Sequence, residues 1–92
     1  MIGLQLALPA EAASLLADIE QPRRESRWGQ SLTWGRLAGQ DVVLTLSGVG
    51  KVAAATTTAM LAQLDVSLIL VAGTSGGLAV GVEPGDVLIA TE

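Results

Sequence analysis

The stretch LTLSGVGKVAAATTTAMLAQ, Leu44 to Gln63, constrains the fold most. An apolar run meets a glycine turn, and the turn opens into small residues at helical spacing. Ala53, Thr57, Met60, Leu61 and Leu64 share one face of a helix expected over Lys51 to Leu64. A strand feeding a helix through so tight a turn belongs to an α/β sheet protein. Composition fits close helix-on-sheet packing: half the residues are hydrophobic, yet the only aromatics are Trp28 and Trp34, so Ala, Val, Leu and Ile must build the core.

The rest of the chain reads as further sheet units. Ile2, Leu4, Leu6 and Leu8 alternate with Gly3, Gln5 and Ala7, the period of a strand with one strongly apolar face and one of smaller residues. Pro9 opens a helix over Ala10 to Glu20, which Gln21 and Pro22 end. Ser31 to Leu37 and Val42 to Ser47 are expected to form a hairpin around Ala38-Gly39-Gln40-Asp41. The uninterrupted apolar run Ser67 to Ala72 predicts a strand covered on both sides. After Gly73 to Gly77, a turn at Pro84-Gly85 leads to a last strand from Asp86 to about Thr91. Two helices are few for five or six strands. Residues 1–92 are therefore expected to be one partial domain, the N-terminal portion of a larger α/β fold with a mixed parallel and antiparallel sheet.

Several classes of function are excluded by residue type. With no cysteine and no histidine, the chain has no disulfide framework, no thiolate or imidazole metal site and no Ser-His-Asp triad of its own. A net charge of −4 argues against nucleic acid or an anionic membrane as partner, and the one basic cluster, Arg23, Arg24 and Arg27, is broken by Glu25. Gln5, Pro9 and Glu11 interrupt any signal-peptide pattern, and no apolar run approaches the ~20 residues of a membrane helix. A soluble, cytoplasmic protein without metal or cofactor is the expectation by elimination.

Two glycine turns are candidate ligand contacts. Gly48 to Ala53, GVGKVA, satisfies the letter of the dinucleotide fingerprint G-x-G-x-x-G/A. Its mechanism also needs an acid at the end of the next strand, and Val71-Ala72-Gly73-Thr74-Ser75 has none. A P-loop fails as well, because Thr45 and Val52 stand where Gly and Ser or Thr are required. What is left is a close-packed strand-to-helix turn, with a ligand role still open because helix N-termini attract anions. The second turn, GTSGGL from Gly73 to Leu78, offers the hydroxyls of Thr74 and Ser75 where α/β sheets bind ligands. Glu11 lies just after the first strand. In a helix's first turn its charge is favoured by the dipole, and a carboxylate kept ionised could also accept a proton from water.

Taken together, ALPAE after the first strand, SGVGKVAAA after the hairpin, and AGTSGGL followed by VEPGDVLIATE resemble the nucleoside phosphorylase and nucleosidase superfamily. Within it they are most similar to the 5'-methylthioadenosine/S-adenosylhomocysteine nucleosidases. The resemblance covers nearly the whole chain but only the N-terminal half of a family member. It implies a three-layer αβα fold around a mixed sheet, no cofactor, a purine nucleoside substrate, and a homo-oligomer, with a dimer favoured. It implies cleavage of the purine–C1' bond with water as nucleophile. Glu11 then matches the carboxylate that activates the water, Leu8 an apolar residue near the thioribose, and Val49 an apolar contact to the ligand. Thr74 stands beside the ribose and the water, and Gly76 matches a backbone contact. The family's leaving-group acid, ribose-gripping glutamate and base-stacking aromatic belong to the half that this chain does not carry, so the chain alone is expected to be inactive. A phosphorylase of the same superfamily is the alternative, disfavoured because the first strand and its turn contain no Arg or Lys to clamp phosphate. A non-catalytic truncated product that self-associates is the other.

Overall fold

The computed structural model describes residues 1–91. Five strands and two helices follow in the order β1 (Ile2–Leu6), α1 (Pro9–Asp18), β2 (Glu20–Arg27), β3 (Gln30–Leu37), β4 (Gln40–Leu46), α2 (Lys51–Ala62) and β5 (Leu68–Val71). They form one mixed sheet in the order β2-β3-β4-β1-β5. β1 runs parallel to β4 and β5, while β3 is antiparallel to β2 and β4.

The two-residue period of the strands sorts their side chains between the helices. Leu4 and Leu6 of β1 and Val42 and Leu44 of β4 pack with Ala12 and Ile19 on the α1 side. Leu32 and Val43 pack with Met60 and Leu61 of α2 on the other. The result is three layers, α1 and α2 on opposite faces of the sheet. Gly3 lies on the α2 face, where a Cβ would stand at ordinary contact distance, 3.6 Å, from Leu61 Cδ1.

Three expectations need correction. Gln21 and Pro22 do more than end α1: the helix stops at Asp18, and residues 20–27, polar in EQPRRESR except for Pro22, form an additional edge strand. No apolar alternation marks it, because both its faces are largely exposed and its partner β3 supplies the ladder. Pro22 is tolerated at a register shift between Glu20 and Arg23, beside Gln21 at φ 53°, where an irregular edge needs no N–H. Gly35 of β3 makes room for that irregularity, since a Cβ there would collide with Ile19 and lie 2.8 Å from the Glu20 carbonyl oxygen.

The second correction concerns β5. It is an edge strand pairing with β1 alone among the described residues, and Leu70 is 46% exposed, so it is not covered on both sides. The third concerns residues 86–91, which form no strand. The turn at Pro84-Gly85 is present, closed by the Asp86 amide donating to the Glu83 carbonyl at 3.1 Å. Two of the three arginines of β2 are engaged locally: Arg23 stacks over Trp34 and Arg27 pairs with Glu25 at 2.7 Å. No helix among the described residues is long and apolar enough to cross a membrane.

Candidate active site

Because β1, β4 and β5 are parallel, their carboxyl ends open at one edge of the sheet. Backbone bonds extend the ladder past the strands: Ser47 N donates to Leu6 O at 2.8 Å, Gly48 N to Ala7 O at 3.0 Å, and Ala72 N to Gln5 O at 3.0 Å. Three successive connections are thereby held side by side, and an open cleft of about 330 Å³ lies among them. Glu11, Gln5, Ser47, Gly48, Gly73 and Thr74 contribute to its walls.

Glu11 is placed by the start of α1. Leu8 at the N-cap has no side-chain acceptor for the helix amides, so only the reciprocal half of a capping box forms, with Leu8 N donating to Glu11 Oε1 at 3.0 Å. The other carboxylate oxygen reaches across the cleft. Thr74 donates to Glu11 Oε2 twice, from its backbone N–H at 2.7 Å and from Oγ1 at 3.0 Å. Gly73 permits this approach, because a Cβ there would lie 2.9 Å from Oε2. Donors aimed at a carboxylate favour its charged form. The Thr74 amide, then the Leu8 amide and the Thr74 hydroxyl, hold Glu11 below its ordinary value of 4.5, against a weaker opposing effect of burial. A partly exposed carboxylate kept ionised beside an open cleft can accept a proton from a bound water.

The turn at the end of β4 enters α2 with Gly48 at φ 79° and Gly50 at φ 111°, a left-handed path that side chains resist. Gly48 and Gly50 face the cleft, whereas Val49 between them is 77% exposed and does not line it. Leu8 is 44% exposed at the rim, with its amide engaged by Glu11. Gly76 lies outside the walls, with open space around its Cα. The structure thus brings Glu11 and Thr74 into contact, whereas Leu8, Val49 and Gly76 do not line the cleft. Two wall residues, Gln5 and Ser47, escaped sequence reasoning. Ser47 carried no distinguishing pattern, but Gln5 did: an amide in the middle of an otherwise apolar strand. Among the described residues no three of His, Cys, Asp or Glu gather as metal ligands, and neither Arg nor Lys lines the cleft.

Known proteins place this geometry. The family model of the phosphorylase superfamily matches residues 1–92. A 5'-methylthioadenosine/S-adenosylhomocysteine nucleosidase of Haemophilus influenzae is 39% identical over 99% of this chain, and one of Shewanella halifaxensis 36% identical over 99%. The chain spans about 40% of the length of each. Among solved structures, the nucleosidase of S. pneumoniae with the transition-state inhibitor MT-ImmA superposes with a TM-score of 0.87 at 34% identity, covering 92% of this chain and 37% of that one. The nucleosidase of Colwellia psychrerythraea in complex with adenine gives 0.87 at 34%, covering 92% and 36%. Motif order, the mixed sheet between two helices and these matches agree: the chain belongs to the phosphorylase superfamily.

Proposed function

We propose that this chain forms the N-terminal part of a purine nucleosidase that hydrolyses methylthioadenosine- or S-adenosylhomocysteine-type nucleosides. The observation that carries the reading is the Glu11 carboxylate, held ionised by Thr74 and Leu8 at the mouth of a cleft on the carboxyl ends of parallel strands. In the reaction, the purine–C1' bond breaks with its electron pair going to the base. Positive charge develops on the sugar, and water oxygen bonds to C1' while Glu11 takes the water's proton. The departing purine receives its proton from an acid that these residues do not supply, since Glu11 is the sole carboxylate lining the cleft among the described residues. Thr74 orients Glu11 and borders the ribose. Leu8, Val49 and Gly76 are proposed as substrate contacts made at the rim.

Hydrolysis is favoured over phosphorolysis because a phosphate needs cationic clamps and the cleft wall carries none among the described residues, Lys51 standing exposed at the start of α2. No metal or cofactor is required by this scheme. The enzyme is proposed to act in the cytoplasm as a homo-oligomer, a dimer first. Adenine release from methylthioadenosine by the complete enzyme, measured with and without phosphate, tests the reading. Release independent of phosphate is expected, and Glu11→Gln should lower it by roughly 10²- to 10⁴-fold, the usual worth of a positioned general base. Unchanged release by that variant would remove Glu11 from the chemistry.

A further inference from the structure

Gln5 is a polar residue on the interior strand β1, between β4 and β5, 2% exposed, on the β1 face that α2 covers. Its amide is engaged on both sides. Nε2 donates to the Ala54 carbonyl at 3.0 Å, and Oε1 accepts from Thr58 Oγ1 at 2.8 Å. Thr58 Oγ1 also lies 3.0 Å from Ala54 O, yet a hydroxyl has one proton to give. Ala54 O can only accept, so Nε2 must face it and Oε1 must face Thr58. The Thr58 proton then goes to Gln5. Ala54 in turn donates its backbone N–H to Gly50 O at 3.0 Å, so the amide grips the residue that closes the Gly48–Gly50 turn. The Gln5 main-chain carbonyl accepts from Ala72 N at 3.0 Å, the last bond before Gly73 and Thr74.

Stability gives little reason for an amide here. Burying it is costly unless both ends are bonded, and replacing such a pair by apolar groups of similar shape is often near neutral. What the amide does provide is a fixed distance and register between β1 and the first turn of α2. We propose that Gln5, with Thr58, is a positioning residue of the cleft. Its side chain sets the α2 wall, through Ala54 and Gly50, against the β1–β5 wall that its backbone holds. This rests on the nucleosidase reading for its kinetic consequence, but not for its structural one.

The test uses the complete enzyme and compares Gln5→Leu, Thr58→Val and Thr58→Ser with the parent. Gln5→Leu and Thr58→Val should raise KM for methylthioadenosine roughly tenfold, since small misplacements of a binding wall have effects of this order or larger. Both should leave kcat within about threefold and the acid limb of the pH profile in place, because Glu11 keeps all its donors. Thr58→Ser, which keeps the hydroxyl, should restore KM. Hydrogen exchange at the Ala54 amide should quicken in the first two variants and not in the third. A general loss of packing would instead lower the melting temperature without this local pattern or the rescue. KM within twofold of the parent together with unchanged Ala54 exchange in Gln5→Leu and Thr58→Val overturns the proposal. If Gln5→Leu does not fold, Thr58→Val decides, its side chain being only partly buried on α2. Should the parent release no adenine, the nucleosidase reading fails on its own, and Ala54 exchange still decides the role of Gln5.

Discussion

At the scale of residues, the cleft is governed by where hydrogen-bond donors point. Glu11 has three donors from two other residues, and all favour its carboxylate form. The sign of the resulting pH dependence follows. A group whose folded pKa is lowered contributes stability that is present above its unfolded pKa and lost as pH falls through the folded one. The Glu11–Thr74 contact should therefore persist through neutral and mildly acidic pH, and the acid limb of kcat/KM due to Glu11 should lie below 4.5. Thr74→Val removes the hydroxyl donor but keeps the amide, so the limb should move upward without reaching the ordinary value. Thr74→Ser should leave it in place. A pH–rate series on the three proteins checks this, and a limb indifferent to Thr74→Val would show that the hydroxyl does not act on the carboxylate. Gly73→Ala should have the larger effect, because its Cβ would press on Oε2 and separate the carboxylate from both Thr74 donors at once.

At the scale of elements, what was legible in the sequence and what was not divide along a physical line. β1, β4, α1 and α2 announce themselves because they bury apolar side chains, the helices on one face and β1 and β4 on both, and that burial leaves apolar runs or periods in the sequence. Glu11 and Thr74 were legible for a related reason: one opens a helix after a strand, and the other stands where a buried-looking strand meets glycines. β2 was invisible because an exposed edge strand buries no face, and its composition of Glu, Gln, Arg and Pro reads as a solvated linker. Gln5 was visible as an oddity, but its partners Ala54 and Thr58 lie 49 and 53 residues away, and only the fold supplies them. The close approach at the β2 bulge yields a prediction of its own. Gly35→Ala would drive a methyl into Ile19 and the Glu20 carbonyl, so it should destabilise the complete protein by about 1–3 kcal/mol, the usual cost of overpacking. Denaturant unfolding measures it, and a change below about 0.5 kcal/mol would mean that β2 shifts freely. Leu61→Ala, at a fully buried contact of α2 with the sheet, should cost about 2–5 kcal/mol.

At the scale of the whole molecule, the two ends of the sheet differ. The β2–β3–β4 side is edged by a polar strand whose arginines stack on Trp34 and Trp28. The β5 side is apolar and bare: Leu68, Leu70 and Val71 are exposed, and so are Leu78, Val80, Val87, Leu88 and Ile89 in the segment that follows. The dimensions agree. The radius of gyration is 13.8 Å, whereas a compact chain of this length would have about 12 Å. An apolar edge strand with open N–H and C=O groups is a template for association, and β5 pairs on one side alone among the described residues. The 92-residue protein prepared by itself should therefore self-associate through the β5 side, and it should show no turnover of methylthioadenosine, because Glu11 is the sole carboxylate lining the cleft among the described residues. Sedimentation across a concentration series reads the first expectation. Leu70→Lys puts a charge on the exposed edge and should shift the distribution toward monomer, whereas a lysine at exposed Thr56 on α2 should not. A well-folded, strictly monomeric 9.3 kDa species at every concentration would show that this surface does not draw copies together. Adenine release by that same preparation would show that the acid comes from within these residues after all.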